Sequence, residues 1–176
     1  MNPMIRTATA QDTATLAALA AVTFPLACPP DALPAAVQQF IAANLTEQHF
    51  DAYLADPARR LLLAEPGGVP SGYTMLVAGE PTDPDVLEAL TLYPTIELSK
   101  FYVLEQAHGS GLAGELMVAT LAAARELGGA GIWLGVNNEN IKANRFYEKH
   151  GFARVGTKKF LVGDRWENDF VRERAL

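Results

Sequence analysis

Only one cysteine, Cys28, occurs in the 176 residues, which excludes an internal disulfide and any multi-cysteine metal site. A reducing, cytoplasmic setting is the expectation. Cys28 stands just before Pro29-Pro30, where a small buried hydrophobe is the ordinary reading and a nucleophile the alternative. No apolar run approaches the roughly 20 residues that a membrane span needs, so no membrane partner is expected. The opening Met1–Arg6 has no basic stretch followed by an apolar block, and no secretion signal is expected. Basic residues are outnumbered 14 to 20, giving a net charge of −6. That balance argues against a nucleic-acid partner, which would want a basic face, and is compatible with a cationic substrate. Repeats, low-complexity tracts and interdomain linkers are also missing. With 49% hydrophobic and 19% charged residues, the span 1–176 reads as one globular domain with a full core.

What is present is a regular alternation of elements. Residues 4–9 predict a short strand, and Asp12 an N-cap for an Ala/Leu-rich helix to about Val22. Three prolines in six residues, Pro25, Pro29 and Pro30, predict a loop over 24–30. Helices follow over 35–45 and about 46–56, the second capped by Thr46 and closed before Pro57. Residues 61–65 and 72–78 read as a hairpin about Pro66–Pro70. The acidic stretch 80–92 leads as an excursion into a strand over 95–104. A helix from Leu112 to Leu127 stops at Gly128-Gly129. A buried strand over 131–136, a helix over about 141–150 and two strands, 152–160 and 166–174, around Gly163-Asp164 complete the chain. This order implies an α+β (or mixed α/β) fold, a central mixed sheet flanked by helices.

The stretch with most chemical content joins the strand Ile96–Leu104 to the helix beginning at Leu112 through Gln106-x-x-Gly109-x-Gly111. Unpaired N–H groups and the helix dipole suit such a junction to a phosphate or pyrophosphate. The spacing is neither the Rossmann fingerprint nor a P-loop, and an ATP site would need a lysine and magnesium ligands that the motif lacks. A glycine-rich turn with no ligand is the plain alternative.

Two segments together resemble a known family. The strand followed by Gln106-x-x-Gly109-x-Gly111-Leu112-Ala113 resembles the acyl-CoA signature of the GCN5-related N-acetyltransferases, the GNAT family. The run Asn140–Phe152, with Asn144, Phe146 and Tyr147, is similar to their second motif. The resemblance implies a GNAT-like, mostly antiparallel sheet splayed after the 95–104 strand, with acetyl-CoA as co-substrate and no metal. Phe160–Asp164 with Asp169, and 47–57, further resemble the bacterial spermidine/spermine-type members.

Acetyl transfer to an amine needs a neutral amine, oxyanion stabilisation and a proton for the leaving thiolate. Glu97, on the strand before the turn in apolar surroundings that raise a carboxylate pKa, matches the place where family members often carry a base. A solvent-facing strand glutamate is the alternative. Tyr147 matches the general acid toward the CoA sulfur; otherwise it is an aromatic core residue, although Phe146 is the better core candidate of the pair. By resemblance, backbone groups of Phe101, Tyr102 and Val103 supply oxyanion and pantetheine contacts, with a bulge there opening the sheet. Backbone N–H groups from His108 through Gly109, Ser110, Gly111, Leu112 and Ala113 hold the pyrophosphate. Asn140 caps its helix, contacts the pantetheine arm, or does both. Gln106 replaces a more frequent arginine, removing one positive charge near the phosphates. His108 either compensates in part or is an exposed turn residue.

The acceptor implied is a small-molecule or peptide amine. Glu47, Asp51, Glu80, Asp83 and Asp85 would attract a polyamine if they faced the acceptor, or are simply solvated. A homodimer through the final strands is compatible with the resemblance. The competing reading is a non-catalytic acyl-CoA sensor or interaction module on the same fold.

Overall fold

The computed structural model describes residues 4–176, and the side chains of all of these except Phe160 and Val162. Seven strands form one sheet: β1 (Ile5–Thr7), β2 (Arg59–Ala64), β3 (Gly72–Ala78), β4 (Thr95–Val103), β5 (Gly131–Asn137), β6 (Ala153–Val162) and β7 (Arg165–Ala175). Their spatial order is β1-β2-β3-β4-β5-β7-β6. Every pairing is antiparallel except β4 with β5, which is parallel.

Alternation along the strands sorts the helices onto two faces. On β2, Leu61 and Leu63 pack with α1 (Thr13–Ala27), α2 (Pro34–Asn44) and α3 (Glu47–Ala55). Leu62 and Ala64 pack instead under α5 (Leu112–Glu126), whose Leu116, Met117, Leu121 and Ala124 form a buried stripe. Tyr147 from α6 (Ile141–Lys149) joins that second cluster. A short helix, α4 (Pro84–Ala89), lies within the acidic excursion and is capped by Asp83. Glu173 ties this excursion to β7 by accepting from the Thr91 and Leu92 N–H groups and the Thr91 hydroxyl.

Two expectations are corrected at the N-terminal end. Thr9, not Asp12, is the cap, and it opens a 3₁₀ turn that precedes α1. Asp12 instead turns its carboxylate back onto the Thr9 N–H at 2.7 Å and the Arg6 guanidinium at 2.8 and 2.9 Å. The helix then continues through Pro25 to Ala27, where prolines predicted a loop. Pro25 forfeits one i→i−4 hydrogen bond in the last turn, while Phe24 is buried and stacks on Phe40 at 4.5 Å. Tertiary packing thus outweighs the local penalty.

The Arg6 guanidinium holds the Asp12 carboxyl down to about 2, below its ordinary value, despite the opposing cost of burial. A depressed carboxylate pKa contributes stability that is fully present above the unfolded value near pH 4 and is lost as pH falls through about 2. Asp12→Asn should therefore destabilise the fold by about 1–2 kcal/mol at pH 7. Thermal unfolding should show the gap between variant and parent closing as pH approaches that lower value.

Candidate active site

The parallel pairing of β4 with β5 runs only from Thr95/Gly131 to Glu97/Trp133. Beyond it the two strands part, so among the described residues the β4 edge from Leu98 onward has no strand partner on that side. Glu97 stands at the fork. On the β3 side the register shifts between Leu98 and Lys100, leaving Ser99 as an extra residue. The bulge therefore lies at Ser99 rather than within 101–103. One extra residue reverses the alternation. Glu97, Lys100 and Tyr102 consequently share the face toward α1–α3, while Leu98, Phe101 and Val103 face α5 and α6.

A cavity of about 260 Å³ opens at this fork. Its walls come from the end of α1 (Phe24, Ala27, Cys28), from β4 (Glu97–Tyr102), from β5 (Leu134–Asn137) and from Asn140, Ala143 and Tyr147. Lys158 on β6 and Glu167 and Asp169 on β7 complete it. A second cleft of about 260 Å³ adjoins it and reaches Val103, His108, Gly109, Ala113, Lys142 and Phe146. Phe101, Tyr102, Asn140, Ala143, Tyr147 and Ala27 line both. Gln106, Ser110, Gly111 and Leu112 stand in the turn and helix start beyond this lining.

That turn has few satisfied donors. Gly109 and Gly111 adopt φ of 79° and 89°, left-handed conformations that side chains disfavour. The N–H groups of His108, Ser110 and Leu112 are taken by Glu105 O, Ala107 O and Ser110 Oγ. Among the described residues, no protein acceptor meets the N–H groups of Gly109, Gly111, Ala113 or Gly114. They converge at the positive end of α5, a ready anion site. The exposed His108 donates through Nε2 to Val103 O at 3.0 Å, and its Nδ1 accepts from Lys142 at 2.8 Å.

Tyr147 is only 9% exposed, while Phe146 is half-buried. This reverses the expectation that Phe146 would be the core member. On α6 the residues facing the sheet are Asn144 and Tyr147, one turn apart, and Phe146 sits round the side against Phe101 at 5.3 Å and His150 at 4.5 Å. Tyr147 packs edge-on to Phe101, Phe146 and Phe152. Burial pushes its phenol well above the ordinary tyrosine range, so the hydroxyl keeps its proton. Among the described residues nothing hydrogen-bonds that hydroxyl.

Burial also raises the Glu97 carboxyl, opposed first by Lys158 and then by Lys100 and Arg59. The Lys100 ammonium is pulled down to about 8 by burial, and lies 5.5 Å from the Tyr53 ring. Burial lifts Asp169 to about 6 against the pull of Lys158. The Cys28 thiol, donating to Phe24 O, is pushed up to about 11 by burial and the nearby Glu167, which makes it a poor nucleophile.

Asn140 caps α6, accepting from the Ala143 N–H at 3.1 Å. Asn144, unforeseen, rivets that helix to the sheet: it donates to Asn137 O and Asn140 O and accepts from the buried Arg172, which also binds Phe152 O. Lys100, Lys158 and Glu167 were equally unforeseen, although Glu167 and Asp169 alternate inward on β7 with Val171 and Glu173. Glu47, Asp51, Glu80, Asp83 and Asp85, acids that either attract a polyamine or are simply solvated, line neither cavity. Asp51 accepts from Thr13 and Asp83 caps α4, local duties that explain their presence. Among the described residues no group of three or more His, Cys, Asp or Glu is arranged to hold a metal, and no helix is long and apolar enough to cross a membrane.

The profile of the Acetyltransferase (GNAT) family matches residues 28–152. The chain belongs to the GNAT acetyltransferase family. An uncharacterised N-acetyltransferase of Mycobacterium tuberculosis is 45% identical over 161 residues, 92% of this chain and 96% of the relative. A PaiA N-acetyltransferase of Thermoplasma acidophilum, solved with coenzyme A, superposes with a TM-score of 0.77 at 15% identity, covering 98% of both chains. The Salmonella typhimurium protein yncA, solved with acetyl-CoA, gives 0.65 at 21% identity, covering 100% of this chain and 95% of its own. The enzyme class of this GNAT chain is thus acyl-CoA-dependent N-acetyl transfer, and the forked mixed sheet is the family's fold.

Proposed function

We propose that this protein transfers an acetyl group from acetyl-CoA to a primary amine bound in the cavity at the β4–β5 fork. The observation that carries the reading is the alignment of three features along one continuous cleft. Among the described residues, unmatched N–H donors of Gly109 and Ala113 belong to residues at one end of it, with those of Gly111 and Gly114 just beyond. Tyr147 and Asn140 stand in the shared wall, and Glu97 lies at the fork. These residues fit the cofactor: the turn suits a pyrophosphate, and the unpartnered edge of β4 through Phe101, Tyr102 and Val103 suits the pantetheine arm.

Acetyl-CoA supplies the thioester. Glu97 takes a proton from the amine, directly or through water, and Tyr147 gives one to the departing sulfur. Gln106 leaves the phosphates to the backbone donors, with Lys142, held by His108, as a cation beside the turn. For the acceptor, Glu97, Glu167 and Asp169 share the cavity wall with Lys100 and Lys158, a mixed polar lining suited to a small amine, with polyamines among the first compounds to screen. The single buried-side thiol fits a reducing, cytoplasmic setting.

Calorimetric titration with acetyl-CoA, beside ATP and NAD, tests the reading. Micromolar binding of acetyl-CoA alone is expected, followed by thiol release with an amine. No binding at millimolar ligand would make the turn purely structural, and binding without thiol release toward any amine would leave a sensor module. Gly111→Ala should weaken acetyl-CoA by about five- to tenfold, because a Cβ at φ 89° costs about 1–2 kcal/mol and turns the donors away.

A further inference from the structure

On the cavity face Glu97 of β4 pairs with Trp133 of β5; Gly135 follows two residues on, opposite Val171 of β7, and Asp169, two residues from Val171, pairs with Lys158 of β6. Position 135 lies just past the fork and carries no side chain. The space above it is occupied: a Cβ there would come within 2.6 Å of Lys158 Cε and 3.3 Å of Asp169 Oδ2. The Lys158 stem therefore leaves the outermost strand, passes over β7 and lies on β5 at the cavity floor. Its ammonium is 4.0 Å from Asp169 Oδ2, with the two side chains only 16% and 9% exposed.

We propose that Lys158, carried across the gap at Gly135 and anchored by Asp169, is a positioning residue that keeps the Glu97 carboxylate ionised and so able to accept a proton. The inference rests on the reading of Glu97 as the base. A carboxylate at this half-buried fork loses hydration and tends to protonate, and a protonated carboxyl cannot act as a base. A cation brought to the interior offsets that tendency, and a side chain at 135 would deny it the path.

The other groups facing this space do not replace it. Lys100 on β4 directs its ammonium over the Tyr53 ring, and burial lowers its proton affinity. Arg59 on β2 is committed to Asp56 at 3.1 Å. Arg165 pairs with Glu167 on β7 at 2.9 Å. Tyr53, Tyr102, Tyr147 and Cys28 all have raised pKa values and are neutral at pH 7. Lys158 is the cation that acts most strongly on Glu97.

The test follows the Glu97 carboxyl by carbon-13 NMR in protein labelled at the glutamate side-chain carboxyl carbon, the signal being assigned by its loss in Glu97→Gln. Lys158→Met should raise the Glu97 midpoint by about one pH unit, roughly tenfold in proton affinity. Lys158→Arg should leave it nearly in place. Gly135→Ala keeps every charge but displaces the stem, and should move the midpoint in the same direction as Lys158→Met. A midpoint that stays put in both Lys158→Met and Gly135→Ala overturns the inference. Because this readout needs no acceptor, it is separable from catalysis: full turnover in Glu97→Gln would remove the base reading without altering the measured midpoints.

Discussion

Tyr147→Phe should lower kcat by about a hundredfold or more, with the dissociation constant for acetyl-CoA unchanged within about twofold. The ring stays where Phe101, Phe146 and Phe152 hold it, so packing and the cofactor cleft are preserved. Only the hydroxyl goes, and among the described residues it has no protein partner to strand. Burial keeps that phenol protonated beyond the ordinary tyrosine range, so the parent's rate should show no basic limb from this residue at working pH. Steady-state kinetics with the best amine from the screen, beside calorimetry with acetyl-CoA, separates the two quantities. Unchanged kcat would take Tyr147 out of the chemistry and leave it as core.

Glu97→Gln should reduce kcat/KM by about 10²–10³-fold near neutral pH and abolish the acidic limb of the profile. The sign follows from burial. The carboxyl is raised above its ordinary value and acts only when ionised, so the parent's rate falls as pH drops through that raised value and levels off above it. In the glutamine variant the amine must lose its proton to solvent. The deficit should therefore shrink as pH rises toward the amine's own pKa. A deficit constant across pH would mean that Glu97 orients the acceptor without accepting its proton. A measured pH–rate profile from about pH 5 to 10 distinguishes these outcomes.

Legibility differed from one element to the next for physical reasons. The strand–turn–helix about Gly109 and Gly111 was readable because its cause is local: left-handed backbone needs glycine, and the helix after it needs a period near 3.6. Thr46 as a cap and the hairpin of β2 with β3 were readable on the same grounds. The run through Pro25 was misread because the burial that offsets the proline comes from Phe40, a residue on another helix. Asp12 was misassigned because its strongest partner, Arg6, reaches it from β1. The order of burial of Phe146 and Tyr147 was reversed, since two adjacent aromatics give no local sign of which faces the sheet.

By itself, then, the amino-acid sequence determined the order of elements, the glycine turn with its anion-ready donors and the two motifs that mark the family. Each depends on backbone preference or short-range spacing, which a linear chain displays directly. Only the tertiary structure decided what lines the cavity at the fork. The extra residue at Ser99 turns Glu97, Lys100 and Tyr102 to one face, and strand order β5-β7-β6 brings Lys158 and Asp169 over Gly135. Residues 97, 100, 135, 158 and 169 line one cavity because a parity change in one strand brings Lys100 to the face of Glu97 and an out-of-sequence neighbour brings 158 and 169 over 135. Neither cause is local, so neither leaves a spacing in the chain that could be read in advance.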